Sequence, residues 1–289
     1  MYAIYKRELN SYFNSMIGYI FVAAVTFFVG LYFFIFNAGS GHPYVAQTFV
    51  SLIMILTIAV PILTMKSMAE ERKSKTDQML LTYPVKVTSV VLGKFFAMMT
   101  VYAIPVLIGC LCTFVIRLCG GDGSYLIDFS TALAILCMGC MFVAIGMFIS
   151  SLTESQIIAA IGTIVILLVV YMWPALIQLI PDTAIASCVG LLIIFAVVIA
   201  LIHHAIRNYV VTIVLIVLLL GGTLTCYFTS SDLLAGLLPE IMSVFSVSTI
   251  ISNFANYYIF DISGLIMYLT LAALFVFLTI QSMNKRRWN

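Results

Sequence analysis

The chain has 289 residues, of which 64% are hydrophobic and 8% charged, with a formal net charge of +2 and a mean hydropathy of +1.20. Soluble domains are roughly half apolar and about a quarter charged, so a water-soluble fold is excluded, and so small a net charge gives no electrostatic footing for nucleic acid. Continuous charge-free blocks, rather than short alternating ones, exclude a transmembrane β-barrel and predict an all-α, polytopic helical bundle in a lipid bilayer.

Lys6, Arg7 and Glu8 precede an apolar run long enough to span, and no small-residue cleavage site follows it, so the first helix is expected to stay in the mature protein. At about 20 residues per crossing, eight spans are predicted near 16–36, 47–66, 95–116, 129–150, 157–178, 184–203, 208–228 and 262–282. Trp173-Pro174, Pro181-Asp182 and the stretch from His203-His204 to Arg207-Asn208 break the long apolar block in the middle. A six-span alternative needs two long re-entrant segments there.

With both termini inside, one face collects Lys6, Arg7, Lys66, Arg72, Lys73, Lys75, Lys86, Lys94, Arg207, Lys285, Arg286 and Arg287, twelve of the thirteen basic residues, and leaves Arg117 outside. That asymmetry places both termini and the loop after the second span in the cytoplasm. The outer loops carry Asp122, Asp128, Asp182, Asp232, Glu240 and Asp261. The longest, 229–261, is expected to form short helices along the outer membrane surface or a partly inserted hairpin.

Apart from Lys66 at the inner edge of the second, no Asp, Glu, Lys or Arg falls inside the predicted spans, which argues against ion pumps and proton-coupled carriers. Of the seven cysteines (Cys110, Cys112, Cys119, Cys137, Cys140, Cys188 and Cys226), Cys137 and Cys140 share one helix face inside a span and read as packing residues. His203 and His204 are adjacent, point in different directions on a helix, and are read as an interfacial cap rather than a ligand pair. Gly146, Ser150, Ser155, Ala159 and Thr163 form small-residue faces for close helix packing, within the subunit or across a dimer.

The charged exception is 70–94. A helix over 66–83 carries Met79, Leu80 and Leu81 on one side and charge on the other, Pro84 ends it, and Thr88 caps a second helix from Ser89 that runs through Gly93 and Lys94 into span three. On its own this is either a partner surface or a solvated loop whose basic residues fix topology.

The pattern Glu70-Glu71-Arg72, Thr76-Asp77, Leu80-Leu81-Thr82, Pro84-Val85 and Gly93-Lys94-Phe95 resembles the cytoplasmic loop of ABC-2-type transporter permeases, nearest the gliding-motility and copper-export-like branch. The turn Ser150 to Ala160 and the ending Arg286-Arg287-Trp288 resemble further parts of that family. The resemblance implies one transmembrane domain over 1–289, with a six-span core and a cytoplasmic coupling loop at 66–94; the block at 180–228 departs from the six-span pattern and is read as an added helical pair.

It further implies a separate ABC-type ATPase subunit, which binds ATP and Mg, docked on Glu70, Glu71, Arg72, Thr76, Met79, Leu80, Leu81, Pro84, Gly93 and Lys94. Of these, Pro84 and Gly93 are expected to shape the loop. Glu70 and Glu71 pair either with the partner or with Arg72 to Lys75 of this chain. A second permease copy or paralogue and a prokaryotic cytoplasmic membrane complete the implied setting. The chain has no G-x-x-x-x-G-K-[ST] phosphate loop, so no catalytic site or cofactor of its own is expected. The rival classes are an ATP-independent carrier or channel and a membrane enzyme. The first lacks an embedded charge, and the second has only His42, His203 and His204, placed on opposite sides of the bilayer.

Overall fold

A computed structural model describes residues 1–74, 86–121, 123–206 and 236–288, together with 216, 219 and 223. Among them the chain is helical throughout: α1 (Tyr2–Asn14), α2 (Met16–Phe33), α3 (Ala46–Thr64), α4 (Lys66–Lys73), α5 (Val87–Leu118), α6 (Tyr125–Leu152), α7 (Gln156–Gln178), α8 (Ala184–Ile206), α9 (Leu237–Ser243), α10 (Val247–Asn256) and α11 (Ile262–Trp288). A π-helical turn, Phe34–Gly39, extends α2.

Six stretches are long and apolar enough to cross a bilayer: Met16–Gly39, Ala46–Lys73, Val87–Leu118, Tyr125–Leu152, Gln156–Gln178 and Ile262–Lys285. They coincide with the predicted spans one to five and eight. The predicted sixth span is α8, of which Ala184–Val197 is the apolar part. The predicted seventh, 208–228, lies outside the described residues but for three positions.

Two compact units divide the chain, one formed by Met1–Tyr171 and Val247–Asn289 and the other by Met172–Ser246. In the first, α6 is the central element, packed against α11, α5, α3 and α10. Lipid offers no hydrophobic drive between helices, so close backbone approach and interhelical hydrogen bonds hold them. Tyr102 of α5 lies across Gly139 of α6, where an added Cβ would fall 2.1 Å from the ring, and its hydroxyl donates to Ile135 O at 2.9 Å. Gly146 of α6 faces Thr64 of α3, 2.2 Å from an added Cβ. Ala159 and Thr163 of α7 are also buried in this chain. The small-residue faces at 146–150 and 159–163 thus pack within the subunit.

In the second unit Gly190 of α8 faces Leu238 of α9, and Trp173 Nε1–H donates to Met242 O at 2.9 Å. The described part of 229–261 contains two short helices, α9 and α10. Of these, α10 buries Val247, Ile250, Ile251 and Phe254 against α6 and α3, so it is part of the first unit's core.

Two corrections concern helix ends. The helix entering span three starts at Val87, with Lys86 at its N-cap and no side-chain cap, so Thr88 lies in its first turn instead of capping it. Lys94 and Asp128, read as just outside the spans, belong to α5 and α6 and are 2% exposed. A helix does not end where its apolar run ends, provided that each charge finds partners.

Candidate functional site at the root of the charged loop

The residues that precede span one, with Lys6, Arg7 and Glu8 among them, form a separate helix, α1. Ile4, Tyr5, Leu9, Tyr12 and Phe13 recur at helical spacing, so one face of α1 is apolar, and Lys6, Arg7, Asn10 and Asn14 are exposed. The apolar face packs on the protein. Ile4 lies at Gly93 of α5, 3.0 Å from where a Cβ would stand. The Tyr5 hydroxyl bonds Thr100 Oγ1 at 3.0 Å, and Tyr12 donates to Leu63 O at 3.2 Å. Burial pushes the Tyr12 hydroxyl well above its ordinary pKa, helped by the nearby Glu8 and Glu71 carboxylates, so it stays a neutral donor.

The α3–α4 junction at Met65 interrupts the main-chain ladder. Ser150, in the last turn of α6, fills the gap: its Oγ donates to Met65 O at 3.1 Å and accepts from Met68 N at 3.2 Å and Ala69 N at 3.1 Å. Arg72 extends the same attachment, donating to Leu152 O at 2.6 Å and pairing with Glu154 at 3.1 Å. The inner turn after α6 is thereby fastened to α4, from which the charged loop departs.

On the other side of α4 four charges meet. Lys94 Nζ donates to Ser67 O at 2.8 Å and to Glu71 Oε1 at 2.8 Å, and forms an ion pair with Glu8 Oε2 at 3.6 Å. Arg7 Nη2 closes the group, 2.8 Å from Glu8 and 3.5 Å from Glu71. The hydrogen bond that Arg7 donates to Glu8 is the main cause that raises the Arg7 pKa, with Glu71 adding to it. Two cations balance two carboxylates, which is what lets the group sit half inside the protein.

Of the ten predicted docking residues, five are described. Glu70 pairs with Lys66 at 3.2 Å along α4. Glu71 pairs with Lys94 and Arg7, because α4 turns it toward α5 and α1. Arg72 faces the end of α6, and Gly93 and Lys94 are buried beneath α1. Thr76, Met79, Leu80, Leu81 and Pro84 lie outside the described residues. Sequence reasoning missed Arg7, Glu8, Ser67 and Ser150; the helical stripe of α1 is the signal that points to the first two.

The opposite end of the bundle contains the second buried charge. Asp128, the fourth residue of α6, accepts from Ala46 N at 3.1 Å and so caps the start of α3. Lys94 and Asp128, the buried charged residues among those described, do not stand at mid-helix, where a carrier places a charge. Among the described residues no group of three or more His, Cys, Asp or Glu is placed to hold a metal ion.

Residues 2–183 match the family model described as ABC-2 family transporter protein. A comparison with curated proteins returned no match. The match covers more than half the chain and includes the helices that carry the junction, α1 and α3 to α6, so the chain belongs to the ABC-2 transporter family, as a membrane-spanning permease component that is not itself catalytic.

Proposed function

We propose that this chain is the permease subunit of an ATP-driven exporter, coupled through residues 70–94 to a separate ATP-binding subunit that binds ATP and Mg and closes on it. The observation that carries the reading is the attachment of α4. The helix from which the loop departs is held to α6 through Ser150 and Arg72, to α5 through Lys94 and to α1 through Glu8 and Arg7. A push on the loop reaches three other helices directly. A loop that served only to fix topology needs none of this.

In this reading the cluster lies on the cytoplasmic side of a prokaryotic membrane, with both termini inside, and the chain is of the gliding-motility and copper-export-like kind of permease. Two permeases, identical or paralogous, work with two ATPase subunits. Met79, Leu80 and Leu81 anchor in an apolar cleft of the ATPase, and Thr76 and the charges of 70–75 orient the contact at a wet rim. Pro84 and Gly93 shape the loop. The long apolar helices suit an apolar or amphipathic cargo such as a lipid, a lipid-linked molecule or a hydrophobic peptide.

The test is a mild-detergent pull-down of the tagged chain from its native membranes with mass spectrometry of what accompanies it, repeated with Leu80→Asp and Leu81→Asp together. Recovery of an ABC-type ATPase by the wild type, and its loss from the double variant, supports the reading. Absence of any such ATPase, under conditions that keep a reference ABC complex intact, overturns it in favour of an ATP-independent carrier.

A further inference from the structure

Both roots of the charged loop end in one buried ion cluster. The chain leaves α4 at Ser74 and re-enters at Lys86, the N-cap of α5. Lys94 stands about two turns into α5, 2% exposed. It takes two contacts from α4, Ser67 O and Glu71, and one from α1, Glu8. The outgoing root, the returning root and the N-terminal helix therefore share a single ammonium.

The other polar ties of α1 go elsewhere. Tyr5 binds α5 at Thr100, and Tyr12 binds α3 at Leu63. Its ties to α4 run through Glu8, by way of Lys94, and through Arg7, whose side chain is 55% exposed. An exposed pair is screened and gives way easily, whereas a buried ammonium between two carboxylates resists separation, since parting them leaves like charges facing each other without a counter-ion.

We infer that Lys94 is a positioning residue for transport: it clamps both roots of the loop to the N-terminal helix, so that α1, α4 and the start of α5 move as one body when the loop is displaced. This rests on the coupling reading above. Lys94 then serves inside the chain, not on the ATPase surface, and α1 is a moving part of the transport cycle, not a passive anchor. Loop motion that flexed α4 alone would be lost before reaching the spans.

The experiment is hydrogen–deuterium exchange on the co-purified permease–ATPase complex in lipid nanodiscs, with and without Mg-ATP plus orthovanadate. In the wild type, amides of 2–14 and 66–73 change together on trapping. In Lys94→Met the response at 66–73 persists, while that at 2–14 falls by at least about threefold, and Lys94→Arg restores it. Glu8→Gln keeps the Lys94–Glu71 pair, removes the Glu8 charge from Lys94 and Arg7 and leaves only the exposed Arg7–Glu71 pair between α1 and α4, and gives the same selective loss; it carries the test if Lys94→Met does not fold. Wild-type behaviour of α1 in Glu8→Gln, or an α1 that ignores trapping in the wild type while 66–73 responds, overturns the clamp and leaves the coupling reading standing. If neither segment responds in the wild type, both fall.

Discussion

The two ends of the helical bundle are held by different chemistry. At the loop end, besides the main-chain bonds of Ser150, Arg72 and Lys94, charged side chains pair across elements: Lys94 with Glu71 and Glu8, Arg72 with Glu154, Arg7 with Glu71. At the opposite end, polar side chains bind main chain. Asn37 donates to His42 O at 2.7 Å and Tyr44 O at 2.9 Å and accepts from Thr48, Asp128 caps Ala46 N, and Arg117 donates to Gly123 O at 2.9 Å while lying 4.2 Å from the centre of the Tyr125 ring. Side chain to main chain bonds fix the shape of a turn. Ion pairs between helices fix a relation between bodies, and allow those bodies to exchange partners without any turn being rebuilt. The opposite end is thus built as a set of stapled turns and the loop end as a joint.

The largest effect that separates the two should come from Lys94→Met. Removing one partner of a buried ion pair typically costs about 3–5 kcal/mol, so the thermal unfolding midpoint in detergent should fall further than for any variant below. Lys94→Arg should recover much of the loss. If Lys94→Met unfolds with the wild-type midpoint, the cluster holds nothing together and the loop end is not a joint.

Asn37→Ala should come next. The amide is 9% exposed and serves two carbonyls and a hydroxyl, and orphaned buried groups cost roughly 1–3 kcal/mol each before relaxation. A net loss of about 2 kcal/mol is expected. The sharper readout is locality: proteolysis or amide exchange should rise over 37–48 and leave 66–73 unchanged. Opening at 66–73 instead would erase the distinction between the ends.

These positions also mark how far sequence alone reaches. Apolar runs located the spans well, with helices beginning at Met16, Gln156 and Ile262 against predicted starts of 16, 157 and 262, because a charge-free run in lipid has few alternatives to a helix. They did not locate α1, whose mixed charge hides a plain stripe at 4, 5, 9, 12 and 13. Nor could they pair Glu8, Glu71 and Lys94, since residues 63 and 86 positions apart meet only once α1, α4 and α5 have packed. Ser150 was visible as a small residue on a packing face; its role at Met65 depends on a break between α3 and α4 that no local pattern announces. Of the docking residues, the apolar trio Met79, Leu80 and Leu81 still rests on sequence reasoning.

Gly146→Ala tests the contact that brings α6 close enough for Ser150 to reach α4. The new methyl group would stand 2.2 Å from Thr64 Oγ1 and 2.8 Å from Thr64 Cβ, and the Thr64 hydroxyl is committed to Val60 O. Overpacking of this kind costs about 1–3 kcal/mol. One turn away, the Ser150 hydrogen bonds should loosen with it, so amide exchange at Met68 and Ala69 should rise. Unchanged exchange there would mean that Ser150 is positioned by α4 itself and not by the α3–α6 contact.

The smallest effect should come from Lys66→Ala, at the same end and on the same helix as Glu71. Lys66 and Glu70 pair at 3.2 Å one turn apart, with side chains 30% and 45% exposed. Such pairs contribute about 0.3–0.5 kcal/mol, and screening removes most of that as the Debye length falls from about 10 Å at 0.1 M salt to about 3 Å at 1 M. The expected midpoint shift is at the edge of detection in low salt and absent in high salt, whereas the deficit of Lys94→Met should persist at both. A salt-sensitive Lys94 deficit equal in size to that of Lys66 would place the cluster in water, and the loop end would then be a charged surface with no capacity to transmit a displacement. Persistence of the Lys94 deficit alone separates the joint from the charges that merely decorate it.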